Sequence, residues 1–164
     1  MTSMLSTGRF RRTARTALAA GATVCALAAL SGCEKPTPVA TVTIGSDSVT
    51  SEASCWNDGK KLSEKELKKC AEGNGKRKID FGEGDVLRFG VDSDIAEKGW
   101  QVFLANQELL EPTTKTYKTF DGSQLRYSAL PKETDLVIAQ VNSAGKKEAE
   151  GFYGLWHFTL VKES

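Results

Sequence analysis

The sequence predicts a mainly β protein: an antiparallel two-sheet sandwich, immunoglobulin-like or cupredoxin-like, with one short disulfide-tied helix. Two observations carry this expectation. About eight short runs of β-forming residues alternate with a period of two and are separated by Gly, Asn, Asp and Ser turn chemistry. Helix-capping signals dominate only one stretch, around residues 62–73. Strands at such short spacing favour a sandwich, with a small closed barrel as the alternative.

The first segment is not part of that fold. Arg9, Arg11, Arg12 and Arg15 precede an apolar run from Ala17 to Leu30, interrupted only by Gly21 and Thr23. A basic start, an apolar run of roughly 7–15 residues and small residues after it make an export signal, and the run falls short of the ~20 residues of a membrane span. Thr13-Ala14 after the arginine pair favour ordinary Sec export over a twin-arginine signal. The run closes on Leu30-Ser31-Gly32-Cys33, which resembles the lipobox of bacterial lipoproteins. That resemblance implies diacylglyceryl transfer to the Cys33 sulfur and cleavage before it; an ordinary thiol behind a conventional signal is the plainer alternative. Residues 1–32 are thus read as a signal peptide, 33–38 as the lipidated cysteine and a tether, and 39–164 as the folded domain. Without residues 1–32 the chain keeps 18 basic and 21 acidic residues, a formal charge of −3. Such a domain lacks the basic footprint of a nucleic-acid binder.

The elements follow in order. Glu34-Lys35-Pro36-Thr37-Pro38 favours an extended backbone. Val39–Ile44 alternates as a half-buried strand, Gly45-Ser46-Asp47-Ser48 turns, and Val49 to Trp56 returns. Ser63 and Glu66 form a capping box, with Leu62 and Leu67 as its hydrophobic staple and Gly73 as the stop. Cys55 and Cys70 flank this region, and with Cys25 lost in the signal they are the natural disulfide of an exported protein. Free thiols are the alternative; a metal or redox pair fails for want of a C-x-x-C spacing.

Lys78–Phe81 and Val86–Val91 read as the arms of a hairpin around Gly82-Glu83-Gly84-Asp85, and that turn lacks the Lys-Ser/Thr of a phosphate loop. Asp94, with Glu97 at N3, is expected to cap a single turn ended by Gly99, a better account of Asp92-Ser93-Asp94 than calcium. Trp100–Ala105 is a strand and Asn106-Gln107 a turn. Lys115–Phe120 and Gln124–Leu130 flank an Asp121-Gly122 turn. Thr134–Val141 and Phe152–Val161 are apolar on both faces, as central strands are, and enclose a polar loop over 143–151 containing Lys146-Lys147.

No catalytic or metal constellation stands out. The single histidine, His157, lies mid-strand between Trp156 and Phe158 and reads as structural. One histidine cannot supply a blue-copper site, so no metal or other cofactor is expected. No carboxylate spacing selects a glycosidase site. Trp56, Trp100 and Trp156 read as core. Tyr117, Phe120 and Tyr127, around the Asp121-Gly122 turn, are the candidate binding face.

The lipobox through Cys33-Glu34-Lys35-Pro36-Thr37-Pro38, Cys55-Trp56-Asn57-Asp58-Gly59, Arg88-Phe89-Gly90-Val91-Asp92 and Gly154-Leu155-Trp156-His157-Phe158 together resemble a group of small actinobacterial envelope lipoproteins of uncharacterised function. The resemblance implies a location, the extracytoplasmic face of the cell membrane through a lipid anchor, and a β fold. The expected role is a non-enzymatic binding or scaffolding module with an envelope protein partner. An inhibitor or regulator of an envelope protease or sensor kinase, and an enzyme with a hidden site, are the alternatives.

Overall fold

Two sheets face each other across a core of buried apolar residues. The computed structural model describes residues 36–71, 77–142 and 151–163. The signal segment, Cys33, the Gly73 stop and the Lys146-Lys147 loop lie outside the described residues. The compact unit containing the strands spans Thr37–Ser164.

The first sheet has four strands in the order β2-β1-β5-β8, all antiparallel: β2 Asp47–Glu52, β1 Val39–Ile44, β5 Val86–Val91 and β8 Tyr117–Asp121. The second runs β3-β10-β9-β6-β7: β3 Cys55–Trp56, β10 Phe152–Lys162, β9 Glu133–Val141, β6 Trp100–Leu104 and β7 Gln107–Thr113. A further strand, β4 Arg77–Phe81, joins the same edge of β10 as β3 but lies parallel to it. The core between the sheets is built from Ala40, Val42, Ile44, Leu87 and Phe89 on one side and Trp100, Val102, Leu136, Ile138, Trp156 and Phe158 on the other. The fold is therefore the expected mainly β, two-sheet sandwich, with one parallel pairing at the β4 edge.

Several elements differ from the sequence reading, each for a tertiary reason. The return strand expected over 49–56 is two strands: β2 ends at Glu52 and β3 belongs to the other sheet. The predicted hairpin of 78–81 and 86–91 does not pair either. β4 lies against β10 and β5 against β1 and β8, so the Gly82–Asp85 turn, closed by Gly82 N–H donating to Asp85 Oδ2 at 2.8 Å, crosses between sheets. Residues 124–130 form 3₁₀ turns at Gly122–Gln124 and Tyr127–Ala129 rather than a strand, the first capped by Asp121 Oδ1 accepting from Ser123 N–H at 3.0 Å. The β6–β7 turn is Ala105-Asn106, both at positive φ (48° and 64°), which starts β7 at Gln107.

Among the described residues two α-helices accompany the sheets. Helix α1, Glu64–Ala71, opens on the expected capping box: Ser63 N–H donates to Glu66 Oε2 at 2.7 Å, and Glu66 N–H to Ser63 Oγ at 3.4 Å. Leu62 is buried beside it, its N–H donating to Phe152 O at 2.8 Å. The Cys55–Cys70 disulfide, with Cα atoms 5.7 Å apart, ties α1 to β3. Eight residues of helix would be marginal alone, so this bond and the buried Leu62 and Cys70 hold it. Helix α2, Ser93–Lys98, is capped by Asp92, not Asp94 as the sequence reading has it. The Asp92 carboxylate turns away from the helix to accept the Val39 N–H at 2.8 Å, which is why the capping pattern misplaces the start by two residues.

Two tests bear on the helix. The disulfide closes a loop of 15 residues, worth roughly 3 kcal/mol in the chain-entropy model; urea unfolding of the Cys55→Ser, Cys70→Ser double variant should show a loss of about that size. The Ser63 backbone and side-chain hydrogen bonds lower the Glu66 pKa below 4.5. Cap stabilisation is therefore complete above 4.5 and is lost as pH falls through the folded-state value. Titration of the Glu66 carboxyl by NMR should show the lowered midpoint, and Ser63→Ala, which removes the hydroxyl donor but keeps the larger backbone one, should raise it only part of the way back.

Candidate functional site

β10 organises the end of the sandwich at which the chain enters it. Gly154 faces the core there, and a Cβ on it would lie 2.8 Å from the Trp156 ring and 2.9 Å from that of Trp56. The two indoles meet with centroids 6.0 Å apart at 55°, filling the space that glycine leaves. Fully buried Trp156 points its Nε1–H at Pro38 O, 2.9 Å away. The next residue is held as firmly: Val39 N–H donates to Asp92 Oδ2, and Asp92 N–H donates to Val39 O at 3.2 Å. Three hydrogen bonds thus weld the start of the fold to the central strand of one sheet and to α2.

The three aromatic candidates do not share one surface. Tyr127 packs its ring on Phe81, centroids 5.6 Å apart, and its hydroxyl is shared between Phe81 O at 3.2 Å and Glu163 O at 3.1 Å. Loss of solvent, then the Glu163 carboxylate, raises its pKa above 10.0, so it stays a protonated donor to those carbonyls. Lys162 Nζ lies 4.6 Å over the same ring. Phe120 is half-buried against the core. Only Tyr117 presents its ring outward, at 51% exposure.

Tyr117 stands on the outer face of the four-stranded sheet. Register places Thr50, Thr41, Gly90 and Tyr117 in one row across it and Ser48, Thr43, Arg88 and Thr119 in the next. The hydroxyls pair, Thr41 with Thr50 and Thr43 with Ser48, each at 2.9 Å. These two rows contain one aromatic ring, one guanidinium, five side-chain hydroxyls besides that of Tyr117, and no carboxylate. Sequence reasoning singled out Tyr117 but missed Arg88 and Gly90, since only strand pairing brings them beside it.

No family model, curated protein or solved structure matches this chain.

Other candidate chemistry is spread through the fold. His157 is buried on the outer side of β10, opposite Val137. Gln140, fully buried, donates its Nε2–H to Asp94 O at 2.8 Å and fastens α2 to β9, while its Oε1 has no hydrogen-bond partner among the described residues. Among the described residues no group of three His, Cys, Asp or Glu side chains is placed to hold a metal ion, and no helix is long and apolar enough to cross a membrane. A shallow groove of about 470 Å³ lies between β2 and β4, lined by Asp47, Val49, Ile79, Asp80, Glu133 and Val161 among others. Across it Lys78 Nζ and Glu133 Oε1 pair at 2.6 Å, both more than half exposed; such a pair contributes ~1 kcal/mol or less.

The junction around Gly154 is directly testable. Gly154→Ala forces a methyl against the fully buried Trp156 ring and the partly buried Trp56 ring, at a cost of about 1–3 kcal/mol. Denaturation followed by tryptophan fluorescence should show that loss together with a changed native spectrum, and an unchanged midpoint would refute the packing account.

Proposed function

We propose that the chain is an extracytoplasmic, lipid-anchored binding or scaffolding module, exported behind residues 1–32 and held at the membrane by an acylated Cys33. The observation that carries this reading is the position of Cys33: it ends an apolar run with Leu30-Ser31-Gly32 before it and stands five residues ahead of Pro38. Pro38 is where the chain becomes fixed to Trp156. Five residues reach at most about 15–18 Å, so an anchor at Cys33 holds the sandwich close to the lipid headgroups. Two or more acyl chains make such attachment stable, at about 0.8 kcal/mol per buried CH₂. The Cys55–Cys70 disulfide fits an oxidising compartment. The likeness to small actinobacterial envelope lipoproteins belongs to the same proposal and rests on the motifs that carry it. What supports a binding role is where the side-chain chemistry lies: His157 is buried in the sheet, whereas Tyr117 and Arg88 share an outer face.

Mass analysis of the protein purified from its host should show an N-terminus at Cys33 carrying a diacylglyceryl group. Cys33→Ala should move the protein from the membrane to the soluble extracytoplasmic fraction and strip its set of crosslinked membrane neighbours. An unmodified residue 33, or cleavage at another bond, overturns the anchoring.

A further inference from the structure

The outer face of the four-stranded sheet carries a glycine that the fold itself does not require. Gly90 lies inside β5, where glycine costs about 0.5–1 kcal/mol relative to alanine. Within a strand it marks a bulge, a sharp bend, or a place where a ligand or another backbone comes close. The register through Gly90 is unbroken to Thr41 on one side and Tyr117 on the other, so there is no bulge. It is not among the glycines with positive φ, so no left-handed turn demands it. Nor is it crowded: a Cβ there would come no nearer than 4.0 Å to any neighbour outside its own strand, that neighbour being Thr41 Cβ. The Tyr117 ring, although directly across the strand pair, does not cover it. What remains is a notch open to the outside, floored by bare backbone, with Thr41 on one side and an exposed tyrosine on the other.

Arg88 stands two residues away on the same face. It is half-buried and makes no hydrogen bond or ion pair among the described residues. The acids nearest by register lie in the flanking rows: Asp121 opposite Val86, its carboxylate accepting the Ser123 N–H, and Glu52 and Asp92 on either side of Val39, the Asp92 carboxylate accepting the Val39 N–H. In a domain with a formal charge of −3 after residue 32, a carboxylate-free patch centred on an uncommitted guanidinium selects for an anion. A single guanidinium with no second cation on its two rows matches one planar carboxylate, which it holds in bidentate fashion. The flat ring of Tyr117 beside a backbone notch suits the C–H face of a pyranose, and the hydroxyl rows suit its polar edge.

We propose that this face binds a uronate-bearing polysaccharide, one sugar ring lying over Gly90 against Tyr117 with its carboxylate on Arg88. The proposal deepens the binding-module reading and rests on it, but does not depend on the lipid anchor.

The test uses the protein purified from its host in whichever fraction it occupies, with polygalacturonate as probe and dextran and polyglutamate as the neutral-sugar and sugar-free anionic controls. Affinity electrophoresis should show retention by polygalacturonate that exceeds both controls at least tenfold. Tyr117→Ala and Arg88→Gln should each weaken it about tenfold or more. Gly90→Val, which fills the notch with a strand-favouring side chain in open space, should abolish it with the melting temperature unchanged or raised. Absence of retention, retention equal on polyglutamate, or retention untouched by Gly90→Val overturns the proposal. So does a dimer that Gly90→Val dissociates, since a second copy would then occupy the face. If polygalacturonate fails while the crosslinked neighbours of the Cys33-bearing protein persist, the binding-module reading stands and only the assignment of this face falls.

Discussion

Two indoles packed where Gly154 leaves room form the contact on which the rest of the structure turns. β10 is the one strand with partners on both edges that must also accept a parallel neighbour, and it is buried along most of its length. A side chain at position 154 would press its Cβ to within 3 Å of both indole rings. Trp156 in turn holds Pro38 O, where the start of β1 is attached to the opposite sheet. One missing side chain therefore couples the interior packing, the short β3 strand with its disulfide-tied helix, and the place where the chain joins the fold.

That coupling gives the molecule a fixed geometry between its N-terminal junction and its outer sheet face. β1 begins at Val39 and occupies an inner position in the four-stranded sheet. Thr41 lies three residues beyond Pro38, about 10 Å along an extended strand. The hydroxyl rows thus start close to the junction and run away from it. A ligand on that face would be held at a set distance from whatever holds the N-terminal segment. Both surfaces depend on β1 keeping its register, and the alternation of Ala40, Val42 and Ile44 into the core enforces it, because a slip of one residue would expose all three.

Much of the local structure was legible in the chain. The Ser63–Glu66 capping box, the Cys55–Cys70 pairing, the β1–β2 hairpin and the two-faced apolar character of β9 and β10 all follow from neighbours a few residues apart or from cysteine parity. The candidate face was legible only in part. Tyr117, Phe120 and Tyr127 are close in sequence, but strand alternation sends Phe120 inward and the 3₁₀ turns carry Tyr127 onto Phe81. Tyr117 alone remains outward, beside Gly90 and Arg88 from a strand nearly thirty residues earlier.

Alternation of apolar and polar residues determined that the chain would form short strands with one buried side each, and capping chemistry determined where α1 would begin. The side chains themselves encode these choices through local sterics and hydrogen bonding. Which strand lies beside which was decided only by the folded whole. The two arms flanking Gly82–Asp85 carry the same period whether they pair with each other or enter opposite sheets, and the difference lies in which arrangement buries Ile79 and Phe81 with Leu160 while Leu87 and Phe89 meet them from across the core. Asp92 obeys the same logic: its sequence suits a helix cap, but the carboxylate goes to Val39, a backbone donor 53 residues away that no local pattern could reveal.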